Sequence, residues 1–198
     1  MPRAGCRPAF PFPTWCPNSA PCAPACCACG FTRTRLGKGI PVSCEQTDLA
    51  WLVRQAVDQA SAYHPERSIT LDVADDPAGQ WDTARIGQVF SNLLGNAIKH
   101  GDRDAPIRVA LSGDADSVMA SVNNRGTPIP AAELSQIFDP LHQAPGAGKG
   151  HPNDAGIGLG LYITREIVHA HGGTVGLTSS MEDGTTFTVV LPRRCAVA

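Results

Sequence analysis

Four polar residues on one helical stripe, Gln88, Asn92, Asn96 and Lys99, are the first side chains in this chain whose types and spacing suggest chemistry. Asparagine is a poor helix-interior residue because its amide competes with the backbone, so two of them four apart call for a reason. An amide oxygen is a hard, neutral donor suited to Mg²⁺, whose octahedron is usually completed by water and phosphate oxygens. Lys99, one turn beyond Asn96, is placed to meet a phosphate. The plain alternative is a solvated helix face. A second polar cluster, "NNRGTPIP" (123–130), follows an alternating strand. There the Asn124 amide can both donate to and accept from a purine edge, and Gly126 allows close backbone approach. A third stretch, "DAGIGLGLYITREI" (154–167), sets Gly156, Gly158 and Gly160 at alternate positions before a helix, whose N-terminal amides favour an anion. It is not the dinucleotide fingerprint, and alone it reads as a flexible turn.

The elements that must position these groups follow from periodicity. "TDLAWLVRQAVDQASAYH" is a capped amphipathic helix, and "SITLDVA" is a half-buried strand that Pro77 and Gly79 are expected to break. "WDTARIGQVFSNLLGNAIKHG" is a second long helix, capped by Asp82 and ended by Gly101. Ile107, Val109 and Leu111, then Val118, Ala120 and Val122, alternate as a hairpin, and "AAELSQIF" reads as a short helix. A Gly/Pro-rich loop over 139–156 has the length of a functional lid. Helix 158–170 and two strands across "MEDG" close the pattern. The expected fold is α+β: a two-layer sandwich, with helices on one face of a mixed, mostly antiparallel sheet and a mobile lid.

The 198 residues suit one core with a tail, expected as a disordered Pro/Cys-rich stretch over 1–30, a linker over 31–44, a domain over 45–194 and a tail over 195–198. A net charge of −2 with 17% charged residues offers no basic surface for nucleic acid. No run approaches the ~18 apolar residues of a spanning segment, and a cytoplasmic location is expected. Seven of eight cysteines lie within the first 44 residues, and the spacing of Cys22, Cys26, Cys27 and Cys29 lacks the paired knuckles of a zinc site.

"NLLGNAIKH", "NNRGTPIP", "IFDPL", "GIGLGLYITREIVHAHGG" and "GTTFTVVLP" occur in this order at compact spacing. Together they resemble the ATP-binding catalytic domain of bacterial sensor histidine kinases, over roughly residues 45–192. The resemblance implies a Bergerat fold that holds ATP and Mg²⁺ under a mobile lid, with γ-phosphoryl transfer to a histidine. It implies Asn96 as the Mg²⁺ ligand, Asn92 as its partner one turn earlier and Lys99 near the phosphates. Asn124 would meet the adenine amino group and Gly126 would open the base pocket. The ATP-binding set also includes His100, Ile129, Phe138, Gly156, Gly158, Leu159, Gly160, Leu161, Thr185 and Thr186. The implied partners are a dimerisation and phosphoacceptor domain and a response regulator.

Three positions depart from the family pattern. Asn124 stands where Asp is usual, Pro128 where a second glycine is common, and Leu141 where a second aromatic is common. None of the six histidines precedes an acidic residue on a long helix, so no phosphoacceptor is evident and it is expected from another chain or from preceding sequence. "FTRTRLGKGIPV" (31–42) looks like the end of a dimerisation helix and its linker. Two other readings share the pattern: an inactive ATP- or partner-binding remnant, and an ATP hydrolase of the gyrase or heat-shock type. Those hydrolases carry Glu where this chain has Asn92, and an amide cannot take a proton from water.

Overall fold

The computed structural model describes residues 40–142 and 158–194. Five strands form the main sheet: β2 (Ile69–Val73), β4 (Ile107–Gly113), β5 (Ser117–Asn124), β6 (Thr174–Ser180) and β7 (Gly184–Pro192). The order is β2-β4-β5-β7-β6, with β2 parallel to β4 and every other pair antiparallel. Helices α1 (Leu49–Tyr63), α2 (Thr83–His100) and α4 (Gly160–Ala170) pack on one face, over β2, β5 and β6–β7 respectively. This is the two-layer sandwich expected from the alternation.

Side-chain period decides the faces. Val109 and Leu111, Val118 and Val122, and Phe187, Val189 and Leu191 are buried beneath the helices. Arg108, Met119 and Thr178 lie exposed on the opposite face. The helices bury matching stripes, Leu49, Val53 and Val57 on α1 and Ile86, Phe90, Leu93 and Ala97 on α2.

The Asp48 carboxylate caps α1, accepting from the Ala50 and Trp51 N–H groups at 2.8 and 3.2 Å. Asp82 caps α2, accepting from Arg85 N at 3.0 Å and from Ser43 N at 2.9 Å. Burial works against ionisation of Asp82, but the two N–H donors, together with positive charge nearby, hold its carboxyl below the usual range. This cap therefore contributes at neutral pH and is lost only as pH falls through that lowered value.

Four expectations change in detail. The segment that Pro77 and Gly79 were expected to break is a strand, β3 (Ala78–Trp81), paired antiparallel with an unanticipated β1 (Glu45–Asp48). Gly79 serves there as space rather than as a breaker, because a Cβ on it would overlap the ring of buried Trp81. The Trp81 indole N–H donates to Pro192 O at 2.8 Å, fixing this small sheet to the end of β7. Gly101 does end α2, but with φ −75° and ψ 150°, so it is extended and not a left-handed cap. "AAELSQIF" is α-helical only over α3 (Ala131–Leu134). Beyond it the chain tightens into turns closed by Gln136 N→Glu133 O and Asp139 N→Gln136 O, which lower Phe138 into the core. The last helix starts at Gly160 rather than at 158. Most of the expected lid, including Gly156, lies outside the described residues. The ends that flank it meet, since Leu141 N donates to Gly158 O at 3.1 Å.

Candidate functional site

One end of the sheet collects the predicted residues. The C-terminal half of α2, the end of β5, the start of β7 and the start of α4 converge there because β5 and β7 are antiparallel neighbours, with α2 over β5 and α4 over β7.

Asn92 is half-buried, and its amide donates to Gly160 O at 3.0 Å and to Thr164 Oγ1 at 3.4 Å. It joins α2 to the first turn of α4. A carboxylate at this position would set an acceptor against the Gly160 carbonyl, so the amide is the group that fits. A Cβ on Gly160 would stand 3.6 Å from Asn92 Cγ, an ordinary contact. Asn96, one turn further along α2, is half-buried, and its amide makes no hydrogen bond among the described residues. It is a free hard donor on the side where α4 begins. Among the described residues no three His, Cys, Asp or Glu side chains cluster as a metal site. The Asn96 amide oxygen is a hard donor of the kind that could hold Mg²⁺ beside phosphate and water oxygens.

Lys99 and His100 form the exposed end of α2. Desolvation of the His100 ring, and after it the Lys99 charge, keeps the imidazole below its ordinary pKa, so His100 is neutral at pH 7. His100 lines an open cleft of about 530 Å³ with Gly101, Asp102, Arg125, Gly126, Thr127, Pro128 and Met181. Of the predicted site residues, only His100 and Gly126 line it.

Gly126 has its reason in the protein itself. A Cβ there would come within 2.7 Å of His100 O, so the glycine lets the chain leaving β5 lie against the end of α2. Asp102 N donates to Arg125 O at 2.6 Å across the same junction. Asn124 is 5% exposed and pairs across the sheet with Thr185. Its amide makes only a long bond, 3.4 Å, to Arg125 O.

Thr185 is buried on the helix face and bonds Ser179 Oγ at 2.8 Å, and that serine also accepts from Ile129 N at 2.9 Å. Thr186 is separated from this group. Period-2 alternation turns it to the opposite face, where Asn123 Nδ2 donates to its hydroxyl at 2.8 Å. Phe138 meets Phe187 edge-on, with ring centroids 6.3 Å apart. Leu159 and Leu161 are half-buried at the start of α4, with Leu161 packed on the core. Gly158 has φ +72°, and a Cβ there would lie 2.7 Å from His142 O.

Two site-supporting residues carried no signal in the sequence. His171 is fully buried, with Nε2 accepting from Asp82 N at 3.0 Å and Nδ1 facing Ile167 O at 2.8 Å. Because a backbone N–H can only donate, Nε2 is the acceptor and the proton sits on Nδ1. The ring therefore pins the start of α2 to the end of α4. His171→Leu is expected to cost about 1–3 kcal/mol, since both backbone partners lose their bond in a closed junction; urea denaturation checks this. Arg67 is the second, buried behind Gly101. Only the position of each histidine or arginine in three dimensions distinguishes it from an ordinary surface residue.

Comparison with known proteins places this geometry. A sequence profile for the "Histidine kinase-, DNA gyrase B-, and HSP90-like ATPase" family matches residues 81–194. A bacteriophytochrome from Pseudomonas aeruginosa is 34% identical over 168 residues, covering 84% of this chain and 22% of that protein. The signal transduction histidine-protein kinase AfsQ2 from Streptomyces coelicolor is 32% identical over 126 residues, covering 64% of this chain and 23% of that protein. The chain thus spans less than a quarter of the length of these relatives. Among solved structures, the catalytic domain of histidine kinase ThkA superposes with a TM-score of 0.67 at 26% identity, covering 77% of this chain and 99% of that domain. With the fold and the matched segment in agreement, the chain belongs to the histidine kinase-, DNA gyrase B- and HSP90-like ATPase family.

Proposed function

We propose that residues 45–194 act as the ATP-binding catalytic domain of a two-component histidine kinase. The γ-phosphoryl group leaves ADP and forms a P–N bond with a histidine on a dimerisation domain, from which a response regulator takes it. The observation that carries this reading is the α2 surface within the family-matched segment. There Asn96 offers an amide with no hydrogen bond among the described residues, one turn from Asn92, and Asn92 is itself tied to the start of α4.

In this reading Asn96 holds Mg²⁺, and the metal supplies charge neutralisation on the phosphate oxygens when bound. Lys99 faces the same phosphates as a point charge, and the first turn of α4 offers its unpaired amides. Asn124 reads the base edge and Gly126 keeps the entrance open. The neutral His100 ring is free to lie against the base. Catalysis is then positioning plus electrostatic stabilisation, with no protein group taking a proton from water. Asn92 favours this over hydrolysis, because its amide is already spent on Gly160 O and has no basic lone pair to activate a nucleophile. Among the described residues no helix is long and apolar enough to cross a membrane. A cytoplasmic site of action is part of the proposal.

Calorimetric titration of the purified chain tests the binding half of the reading. ATP is expected to bind with micromolar affinity and more tightly with Mg²⁺ than with EDTA. Equal affinity in the two buffers would remove the metal from the site.

A further inference from the structure

Arg67 is 6% exposed, and one of its terminal nitrogens, Nη1, donates to Asp102 O at 2.7 Å. Its Nε and Nη2 atoms are buried and have no partner among the described residues. Among the described residues no carboxylate lies within ion-pair distance of it. A buried guanidinium with two unmet donors is costly, and the group that normally satisfies its planar fork is a carboxylate. The nearest point of interest is Gly101. A Cβ built there would stand 2.8 Å from Arg67 Nη2 and 3.2 Å from Asn124 Cβ, so the unmet nitrogen and residue 124 both border the small gap that this glycine leaves. Asp102, which anchors the arginine, in turn donates its N–H to Arg125 O, directly after Asn124.

We propose that Arg67 is a positioning residue of the base site, and that its buried charge is what makes residue 124 read the base as a neutral amide. This rests on the reading of Asn124 given above. A carboxylate at 124 would find the unmet Nη2 of a buried guanidinium across the gap at Gly101 and would turn to it in a charge-assisted bond, leaving the base edge. An amide carries no net charge to be drawn away. Its oxygen and nitrogen stay available to the complementary donor and acceptor of adenine. The departure of this chain from the family's aspartate and the presence of an arginine at 67 are thus one feature. The expected specificity is for the 6-amino purine edge, kept without a carboxylate.

A double-mutant cycle tests the coupling, with the dissociation constant of Mg-ATP measured calorimetrically for the full chain. Asn124→Asp is expected to weaken Mg-ATP by about tenfold when Arg67 is present. In the Arg67→Gln background the same change is expected to cost less than about twofold, because no buried cation remains to draw the carboxylate off. Arg67→Met, neutral and of similar length, replaces the glutamine variant if that one does not fold by near-UV circular dichroism. An Asn124→Asp effect of equal size in both backgrounds would overturn the coupling while leaving the base site standing. Asn124→Ala with unchanged Mg-ATP affinity would overturn the base site itself, and the role of Arg67 with it.

Discussion

Asn96→Ala is expected to lower phosphoryl transfer by about 10²-fold or more, while the fold survives. The side chain is half-buried and makes no hydrogen bond among the described residues, so its removal breaks nothing that holds α2 in place. Truncation to alanine even raises intrinsic helix propensity there, which adds a few tenths of a kcal/mol at most. A large loss of activity with an unchanged urea midpoint would therefore locate the effect in the ligand and not in the scaffold. The loss should also be specific in kind. ATP affinity in EDTA should hardly change, whereas the gain on adding Mg²⁺ should disappear. If the variant kept the Mg²⁺-dependent gain, another group would hold the metal.

The second large effect is on stability. Phe187 is fully buried at the middle of β7, in contact edge-on with Phe138, and it lies on the same face as Thr185 two residues earlier. Phe187→Ala should cost about 3–5 kcal/mol through lost transfer energy and the cavity left behind. Against a typical total of about 5–15 kcal/mol this is enough to leave the domain marginal at 37 °C. Urea denaturation reads it directly. A cost under about 1 kcal/mol would mean that Phe138 or a helix collapses into the space. Because Phe187 lies two residues beyond Thr185 on the same face of β7 and supports Phe138 edge-on, the same variant is expected to weaken ATP beyond its thermal effect. Measurement at 10 °C, where the chain remains folded, separates the two.

The parts of this molecule that could be read in the sequence are those where one physical signal acts over many residues. α2 combines a buried stripe repeating every three to four residues with the Asp82 cap, and β4, β5 and β7 alternate cleanly because one face is core and the other solvent. The polar stripe on α2 was legible for the same reason: once the apolar face is assigned, Asn92 and Asn96 are what remains. β1 and β3 were not legible. Each has four residues, and in β1 only Thr47 is buried, so there is no alternation to count. In β3 the glycine that suggests a break is there to admit the indole of Trp81. α3 gives way after Leu134 to turns that bring Phe138 into the core against Phe187, a tertiary contact with no local mark in "AAELSQIF". Thr186 stands apart from Thr185 for a simpler cause, since two consecutive strand residues cannot share a face. Arg67 and His171 owe their importance wholly to tertiary contacts. An arginine in "HPERSI" and a histidine in "HAHGG" have no local feature that marks them as buried.

The central claim is phosphoryl transfer from ATP to a histidine, and the transfer of label from γ-³²P-ATP tests it most directly. The chain is incubated with Mg-ATP alone and with separately expressed dimerisation domains from the genome that encodes it. Acid-labile, base-stable label on a dimerisation domain, absent when its histidine is replaced by Gln and absent with Asn96→Ala, is the predicted result. Release of the label as inorganic phosphate at the same rate with or without any acceptor would contradict it and would mark the chain as an ATP hydrolase.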